Sequence, residues 1–147
     1  MIVMKVFIAS DHAGFALKNA LLEHVRTLGY EVEDMGAFKQ EPDDDYPDFV
    51  IPLAKRVADE TGARGIIIGW SGQGEAMCAN RVKGVRAAVY YGGPPEVVSL
   101  SREHNNSNIL SLGARLVSEE DAKIAVRIFL ETPFSDSPRH ARRLAKF

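Results

Sequence analysis

Short apolar runs rich in β-branched residues alternate with helix-like segments along the whole chain, and this alternation limits the fold more than any other feature. We predict strands at residues 3–9, 30–35, 65–69, 86–91 and 109–112, the first of them beginning at Val3. Strands that alternate with helices form a parallel sheet covered by helices on both faces, with right-handed crossovers. The sequence therefore predicts a three-layer α/β fold with a five-stranded parallel sheet that binds ligands at the carboxyl ends of its strands.

The helix-like segments carry start and stop signals. Gly29 is a typical helix stop, and Ser118 with Asp121 predicts a helix cap. Pro52 predicts a late start or a kink in the second helix. We predict helices between Gly14 and Gly29 and at residues 46–61, 76–82, 96–104, 119–130 and 139–147, with a linker at residues 133–138.

The composition is that of an ordinary globular domain. The chain has 147 residues, 46% of them apolar, which suits one domain over residues 1–147 with a sizeable core. A net charge of −2 gives no general attraction to nucleic acid or membranes, and no apolar run approaches the roughly 20 residues of a membrane span. We see no signal-peptide pattern and a single cysteine, Cys78, so we expect a cytoplasmic protein. Without a Cys/His cluster at zinc spacing, we predict no metal and no cofactor.

A Gly-rich turn follows the third predicted strand and carries the most suggestive polar groups. Residues 69–75 read Gly-Trp-Ser-Gly-Gln-Gly-Glu, between an apolar strand and a helix start, where backbone N–H groups can hold an anion. Glu75 suits either the dipole of the following helix or general-base chemistry, since burial would raise its pKa. Ser71 has no histidine beside it in sequence, which argues against a serine hydrolase.

Further polar residues lie where predicted strands begin or end. Asp11 and His12 follow the first strand and have two interpretations. Asp11 could cap the next helix beside an exposed histidine, or Asp11 could bind a sugar hydroxyl while His12 binds a phosphate. Arg115 follows the fifth strand and could add a cation. His104 and Asn105 precede that strand, so they would lie at the opposite edge unless their helix is long or a second chain brings them in.

Other polar residues have ordinary structural interpretations. Arg139 and Arg143 share one helical face and suit a phosphate monoester, although the helix dipole also favours a basic last turn. His104 is, on local grounds, a surface histidine. The acidic run at residues 43–45 predicts solvated surface, and Cys78, among apolar neighbours, predicts a buried and inert thiol.

Five segments in a fixed order form a recognisable set. They are Ala9-Ser10-Asp11-His12-Ala13-Gly14-Phe15-Ala16-Leu17-Lys18; Asp45-Tyr46-Pro47-Asp48; Gly72-Gln73-Gly74-Glu75 with Ala79-Asn80-Arg81; Arg102-Glu103-His104-Asn105-Asn106-Ser107-Asn108 with Gly113-Ala114-Arg115; and the tail from Arg139 to Arg143. Together they resemble the ribose-5-phosphate isomerase B / galactose-6-phosphate isomerase family. The resemblance runs essentially end to end, from Lys5 to Arg143.

The resemblance implies a Rossmann-like domain that works as a homodimer, often paired into tetramers, with each active site between two subunits. It implies reversible, metal-independent isomerisation of ribose 5-phosphate and ribulose 5-phosphate through an enediolate, a step of the pentose phosphate pathway. A close variant acts on a 6-phosphohexose such as allose or galactose 6-phosphate. A non-catalytic phosphosugar-binding module on the same fold is a further alternative.

The resemblance also implies a role for each site residue. The partner subunit's His104 opens the sugar ring, Asp11 binds near the ring oxygen, and Ser71 assists proton movement. Residues 133–147 contact the partner subunit. The implied substrate-binding residues are His12, Tyr46, Trp70, Gly72, Gly74, Asn105, Arg115, Arg139 and Arg143. Among these, the histidine and the arginines hold the phosphate, and the Gly-rich turn with Asn105 of the partner subunit stabilises the developing oxyanion.

Gly69 is where this chain departs from one branch of the family. Members of that branch carry a cysteine at this position, as the base that moves a proton between C1 and C2. A second branch uses a glutamate four residues beyond a serine, and Ser71 with Glu75 matches that branch. We therefore predict that Glu75 is the base and that Cys78 takes no part in the chemistry.

Overall fold

A central sheet of parallel strands organises residues 4–147, the part of the chain that the structure, a computed structural model, describes. Val3, the predicted start of the first strand, lies outside the described residues. The strands are β1 (Lys5–Ser10), β2 (Glu31–Asp34), β3 (Arg64–Gly69), β4 (Ala87–Tyr90) and β5 (Ile109–Gly113), in the spatial order β2-β1-β3-β5-β4. All neighbouring strands are parallel, so the predicted five-stranded parallel sheet is confirmed.

The helices follow the predicted positions with small shifts at their ends. They are α1 (Phe15–Thr27), α2 (Pro47–Asp59), α3 (Gln73–Ala79), α4 (Glu96–Glu103), α5 (Glu119–Glu131) and α6 (Pro138–Leu144). Ser118 caps α5 as predicted, accepting a hydrogen bond from the backbone N–H of Asp121 at 3.1 Å. Of the two alternatives predicted for Pro52, the late start of α2 is wrong, because the helix begins at Pro47, where a proline needs no backbone donor, and Pro52 lies inside it. Helix α3 ends before residue 82, because the next backbone bonds span three residues and form turns.

The helices cover both faces of the sheet and make three layers. Alternate residues of β1 point to opposite faces: Val6 and Ile8 pack with α1, α4 and α5, whereas Phe7 and Ala9 pack with α2 and α3. The three central strands, β1, β3 and β5, are buried on both faces, as expected for a parallel sheet. This arrangement confirms the Rossmann-like α/β fold. In the described part of the chain, every helix is too short or too polar to cross a membrane.

The strand order changes direction between β1 and β3. The chain leaves β1 for β2 on one side and returns to β3 on the other, so a crevice forms at the carboxyl ends of β1 and β3. The turn after β1 packs tightly there, because a Cβ at Gly14 would lie 2.8 Å from the carbonyl oxygen of Ile68. This crevice is where the polar residues after both strands meet.

Candidate active site

Asp11 occupies the first position after β1 and combines the two roles considered from sequence. Its side chain accepts a hydrogen bond from the backbone N–H of Ala13 at 3.0 Å and so caps the short 3₁₀ turn His12–Gly14. Asp11 is nevertheless only 6% exposed. Burial raises the pKa of Asp11, and the nearby charge of Asp44 acts in the same direction. Asp11 therefore caps the turn and also places a carboxyl group with a raised proton affinity in the crevice.

The turn between β3 and α3 is held in place by side chains. Gly72 adopts a left-handed conformation with φ of 81°, which glycine tolerates best. The Ser71 hydroxyl accepts a hydrogen bond from the backbone N–H of Gln73 at 3.2 Å. The buried hydroxyl of Ser111, on β5, donates to the carbonyl oxygen of Gly72 at 2.6 Å. Sequence reasoning missed Ser111, although a hydroxyl inside an otherwise apolar strand was an available signal.

The carboxyl group of Glu75 lies against the last residue of β3. A Cβ built on Gly69 would overlap the carboxyl carbon and both oxygens of Glu75. The glutamate reaches back from the first turn of α3 into the space that a side chain at position 69 would fill, and it is only 5% exposed. Gly69 is therefore required for the carboxylate to occupy this place.

Burial and a second carboxyl group raise the proton affinity of Glu75. Desolvation is the largest cause of its raised pKa, and the charge of Asp11 adds to it. A carboxylate with a raised pKa holds an abstracted proton more firmly than an ordinary carboxylate and can still return it, which is what a general base must do. Perturbed carboxyl groups in a crevice at a topological switch point also mark a candidate functional site.

Tyr46 and Trp70 lie beside the turn, Tyr46 packed against it and Trp70 largely exposed. The Tyr46 hydroxyl would lie 2.6 Å from a Cβ at Gly74, so the glycine lets the phenol pack directly on the turn. Trp70 is 57% exposed, and its carbonyl oxygen accepts a hydrogen bond from the backbone N–H of Arg115 at 3.2 Å. The loops after β3 and β5 are thereby joined beside the crevice.

His12 and Arg115 line one cavity of about 300 Å³, together with residues of α1 and the start of α5. Asp44 bonds to His12 from the loop before α2, at 2.7 Å from Asp44 Oδ1 to His12 Nδ1. The prediction that the whole acidic run at residues 43–45 is solvated surface is wrong for Asp44, whose side chain is 11% exposed because it pairs with this histidine. A histidine and an arginine around one cavity suit an anion.

Asp11, His12 and Asp44 also bring together one imidazole and two carboxylates, the kinds of side chain that can bind a metal ion. One ligand atom from each residue lies within 4.8 Å of the others. The imidazole nitrogen and one carboxylate oxygen already bond to each other, and this bond raises the pKa of His12. A metal ligand must be an unprotonated imidazole, whereas this pairing favours the protonated one. We therefore interpret the group as an ion pair beside a carboxyl group.

A second polar cluster lies at the opposite edge of the sheet. The rings of His104 and His140 stack with their centroids 4.3 Å apart. Burial lowers the pKa of His140, and the nearby charges of His104, Arg139 and Arg143 act in the same direction. Asn105 is exposed on the same loop. This cluster precedes β5, whereas Arg115 follows it, so the two clusters are separated by roughly 15 Å of strand. One chain does not bring the predicted site residues together.

Arg102 ties the loop of this second cluster to the linker before α6. Its fully buried guanidinium donates to the side-chain oxygen of Asn106 and to the carbonyl oxygen of Thr132, each at 3.0 Å, and to the carbonyl oxygen of Ser107. Burial, together with neighbouring arginines, lowers its pKa to about 10. The group thus remains a cation at neutral pH and holds three oxygens, one of which, the Ser107 carbonyl oxygen, takes part in a buried hydrogen bond.

Replacing Arg102 with Met should lower the free energy of unfolding by about 3 kcal/mol, because one buried and two partly buried oxygens lose their charged donor. Urea unfolding followed by circular dichroism measures this change. Arg127→Met is a matched control, since Arg127 is 63% exposed in an ion pair within α5, and it should change stability by less than about 0.5 kcal/mol. Equal losses in both variants would contradict the role assigned to Arg102.

Cys78 lies one helical turn after Glu75 on α3. The prediction of a buried thiol is too strong, because the residue is half-buried at the edge of the α2–α3 core. Burial raises the pKa of the thiol, and the charge of Glu75 raises it further. A thiol in this environment stays protonated at neutral pH and is a poor nucleophile or base.

The chain resembles known proteins along nearly its whole length. A family model described as Ribose/Galactose Isomerase matches residues 6–147. Ribose-5-phosphate isomerase B of Mycolicibacterium paratuberculosis is 41% identical over 141 residues, which cover 96% of this chain and 87% of that protein. The crystal structure of ribose-5-phosphate isomerase B from Mycoplasma genitalium with bound ribulose-5-phosphate matches with a TM-score of 0.93 and 37% identity, covering 99% of this chain and 95% of that one. The type B ribose 5-phosphate isomerase of Trypanosoma brucei matches with a TM-score of 0.93 and 33% identity, covering 99% and 97%.

Proposed function

This chain belongs to the ribose/galactose isomerase family, and we propose that it interconverts ribose 5-phosphate and ribulose 5-phosphate. One observation carries the proposal: the buried Glu75 carboxyl group occupies the side-chain space of Gly69, beside Asp11 at the switch point of the sheet. A family member that binds ribulose 5-phosphate has the same fold at a TM-score of 0.93. The substrate is thus a phosphosugar, and the reaction moves a proton between neighbouring carbons.

The chemistry requires one base and a stabilised enediolate. Glu75 takes the proton from C2 of the open-chain aldose, and the electron pair of that C–H bond forms the C1–C2 double bond while the carbonyl oxygen becomes an oxyanion. The protonated Glu75 then returns the proton to C1, and a hydroxyl proton moves between O2 and O1 with help from Ser71. The Gly-rich turn at residues 70–74 stabilises the oxyanion, and one preorganised donor of this kind contributes roughly 3 kcal/mol. Asp11 binds the ring oxygen and hydroxyls.

The phosphate end of the substrate needs cations from both clusters. His12 and Arg115 share a cavity at the carboxyl edge, whereas Arg139 and Arg143 lie on α6 beside His104. We infer a homodimer in which His104, Asn105 and α6 of the partner subunit lie in this crevice. The partner subunit's His104 then opens the sugar ring. Residues 133–147 would then form part of the contact, and the dimer would act in the cytoplasm without a metal or a cofactor.

A kinetic comparison of ribose 5-phosphate with allose 6-phosphate tests the proposed substrate. The proposal expects a higher kcat/KM for ribose 5-phosphate in a coupled assay on the purified protein. A preference for allose 6-phosphate or galactose 6-phosphate would support the hexose alternative. Binding without turnover of any of these sugars would support a non-catalytic phosphosugar-binding module.

Replacing Cys78 with Ala should leave kcat/KM within about twofold of the wild type, because the half-buried thiol stays protonated and lies outside the proposed chemistry. Steady-state kinetics with ribose 5-phosphate measure the effect. Loss of isomerisation in this variant, with an unchanged melting temperature, would instead point to a thiol base.

A further inference from the structure

Asp44 binds His12 through two separate hydrogen bonds. One carboxylate oxygen, Oδ1, accepts from the backbone N–H of His12 at 3.1 Å and pairs with the ring nitrogen Nδ1 at 2.7 Å. The side chain of Asp44 is 11% exposed, whereas Asp43 and Asp45 beside it are exposed. The loop before α2 thus carries one acidic residue that is turned inward, onto the turn that follows β1.

A second contact from the same loop fixes the turn further. Gln40 Nε2 donates to the carbonyl oxygen of His12 at 3.3 Å, so the loop holds both the backbone and the ring of the histidine. With Nδ1 bonded to Asp44, the other ring nitrogen, Nε2, is the one that can serve a ligand in the cavity shared with Arg115. When Nδ1–H donates to a carboxylate, a neutral ring offers only an acceptor at Nε2, whereas the protonated ring donates from both nitrogens.

We propose that Asp44 is a positioning residue for phosphate binding, which holds His12 as an imidazolium with its Nε2–H presented to the phosphate. This inference rests on the proposed function for the identity of the phosphosugar. A charge-assisted hydrogen bond to a phosphate oxygen is roughly twice as strong as a neutral one, so the protonated ring binds the substrate better. Asp44 acts through His12 and need not touch the substrate.

The charges around His12 favour this protonated state. The hydrogen bond to Asp44 is the largest cause of the raised pKa of His12, and Asp11 and Asp43 act in the same direction through charge alone, against the opposing effect of burial. Arg115 and Glu119 also line the cavity, with opposite charges. Loss of Asp44 should therefore lower the pKa of His12 toward its ordinary value.

The test compares Asp44→Asn with Asp43→Asn, which remove the same charge from adjacent positions, one bonded to His12 and one exposed. The pKa of His12 is measured by NMR titration of the imidazole in each free protein, with inorganic phosphate as a binding probe. KM and kcat for ribose 5-phosphate are measured across the same pH range. Asp44→Glu serves as a further variant, because it retains the charge and should retain most of the pKa shift.

The proposal expects the His12 pKa to fall clearly in Asp44→Asn and to change little in Asp43→Asn. At a pH between the wild-type and Asp44→Asn pKa values, KM should rise about fivefold in Asp44→Asn, as expected when a charge-assisted bond becomes neutral, with kcat nearly unchanged. At a pH below both values, KM should match the wild type. An unchanged His12 pKa, or a KM increase of the same size at every pH, would overturn the proposal. The NMR and phosphate measurements decide this even if the wild type does not isomerise ribose 5-phosphate, a result that would refute the proposed function alone.

Discussion

We expect Glu75→Gln to lower kcat for ribose 5-phosphate by about 10³-fold, because an amide cannot accept the proton from C2 and a positioned general base contributes roughly 10²–10⁴-fold. Phosphate binding should stay nearly intact, since the cations proposed to hold the phosphate lie elsewhere. Steady-state kinetics give kcat, and isothermal titration with ribulose 5-phosphate gives the affinity. Full activity in Glu75→Gln would contradict the assignment of the base.

The control for this variant is Glu96→Gln, which alters a second carboxylate in a helix first turn. Glu96 is exposed in the first turn of α4, so the substitution should leave kcat unchanged. If Glu75 only complemented the dipole of α3, the two substitutions would have similar small effects on stability and none on turnover. The comparison therefore separates the catalytic interpretation from the structural one.

The raised pKa of Glu75 predicts two pH effects with defined signs. Because the base must be ionised, kcat should fall as the pH drops through this raised pKa, which lies above the ordinary value of 4.5. The folded state also binds this proton more tightly than the unfolded state, so the stability linked to the group is present below the unfolded pKa and is lost as the pH rises through the folded pKa. Glu75→Gln should consequently have an equal or higher melting temperature at neutral pH, which distinguishes lost chemistry from lost folding.

Gly69→Ala should lower kcat/KM by roughly 10²-fold with little loss of stability, the second large effect that the site predicts. The added methyl group overlaps the Glu75 carboxyl group, which is the flexible end of a side chain and can move aside. The fold therefore survives, but a displacement of about 1 Å in a catalytic group can reduce the rate by 10²-fold. Kinetics and thermal unfolding on the same preparation measure both quantities.

Gly65→Ala is the matched control on the same strand. A Cβ at Gly65 would lie 2.7 Å from Cδ2 of Leu53 and 3.0 Å from side-chain atoms of Val57 and Ile109, all in the core. Overpacking of this kind lowers stability by about 1–3 kcal/mol. Gly65→Ala should thus lose stability and keep its activity, the reverse of Gly69→Ala. Wild-type activity in Gly69→Ala would show that the carboxyl group need not occupy this place.

The sheet could be predicted from sequence because its signals are local. Alternating apolar runs and helix signals identify the strands, and parallel order follows from their alternation with helices. The inward position of Asp44 could not be predicted, since it depends on a contact with His12, 32 residues away. The same holds for the hydrogen bond from Ser111 to Gly72, which joins residues 39 apart across two strands.

The candidate site was predictable as a set of residues but not as an arrangement. Ser71 and Glu75 stand out in sequence, yet only the three-dimensional structure places the Glu75 carboxyl group in the side-chain space of Gly69. The expected separation of His104 from the carboxyl edge holds within one chain, because the residue precedes β5. A dimer that unites the two clusters therefore remains a prediction.

The most direct test of the account is an NMR measurement of ribose 5-phosphate incubated with the purified wild-type protein in D₂O. A single base takes the proton from C2, exchanges it with the solvent and delivers deuterium to C1, so we expect ribulose 5-phosphate that carries deuterium at C1. Glu75→Gln should form almost none of this product. The absence of ribulose 5-phosphate with the wild type would contradict the proposed isomerisation. Its formation at an undiminished rate by Glu75→Gln would contradict the assignment of Glu75 as the base.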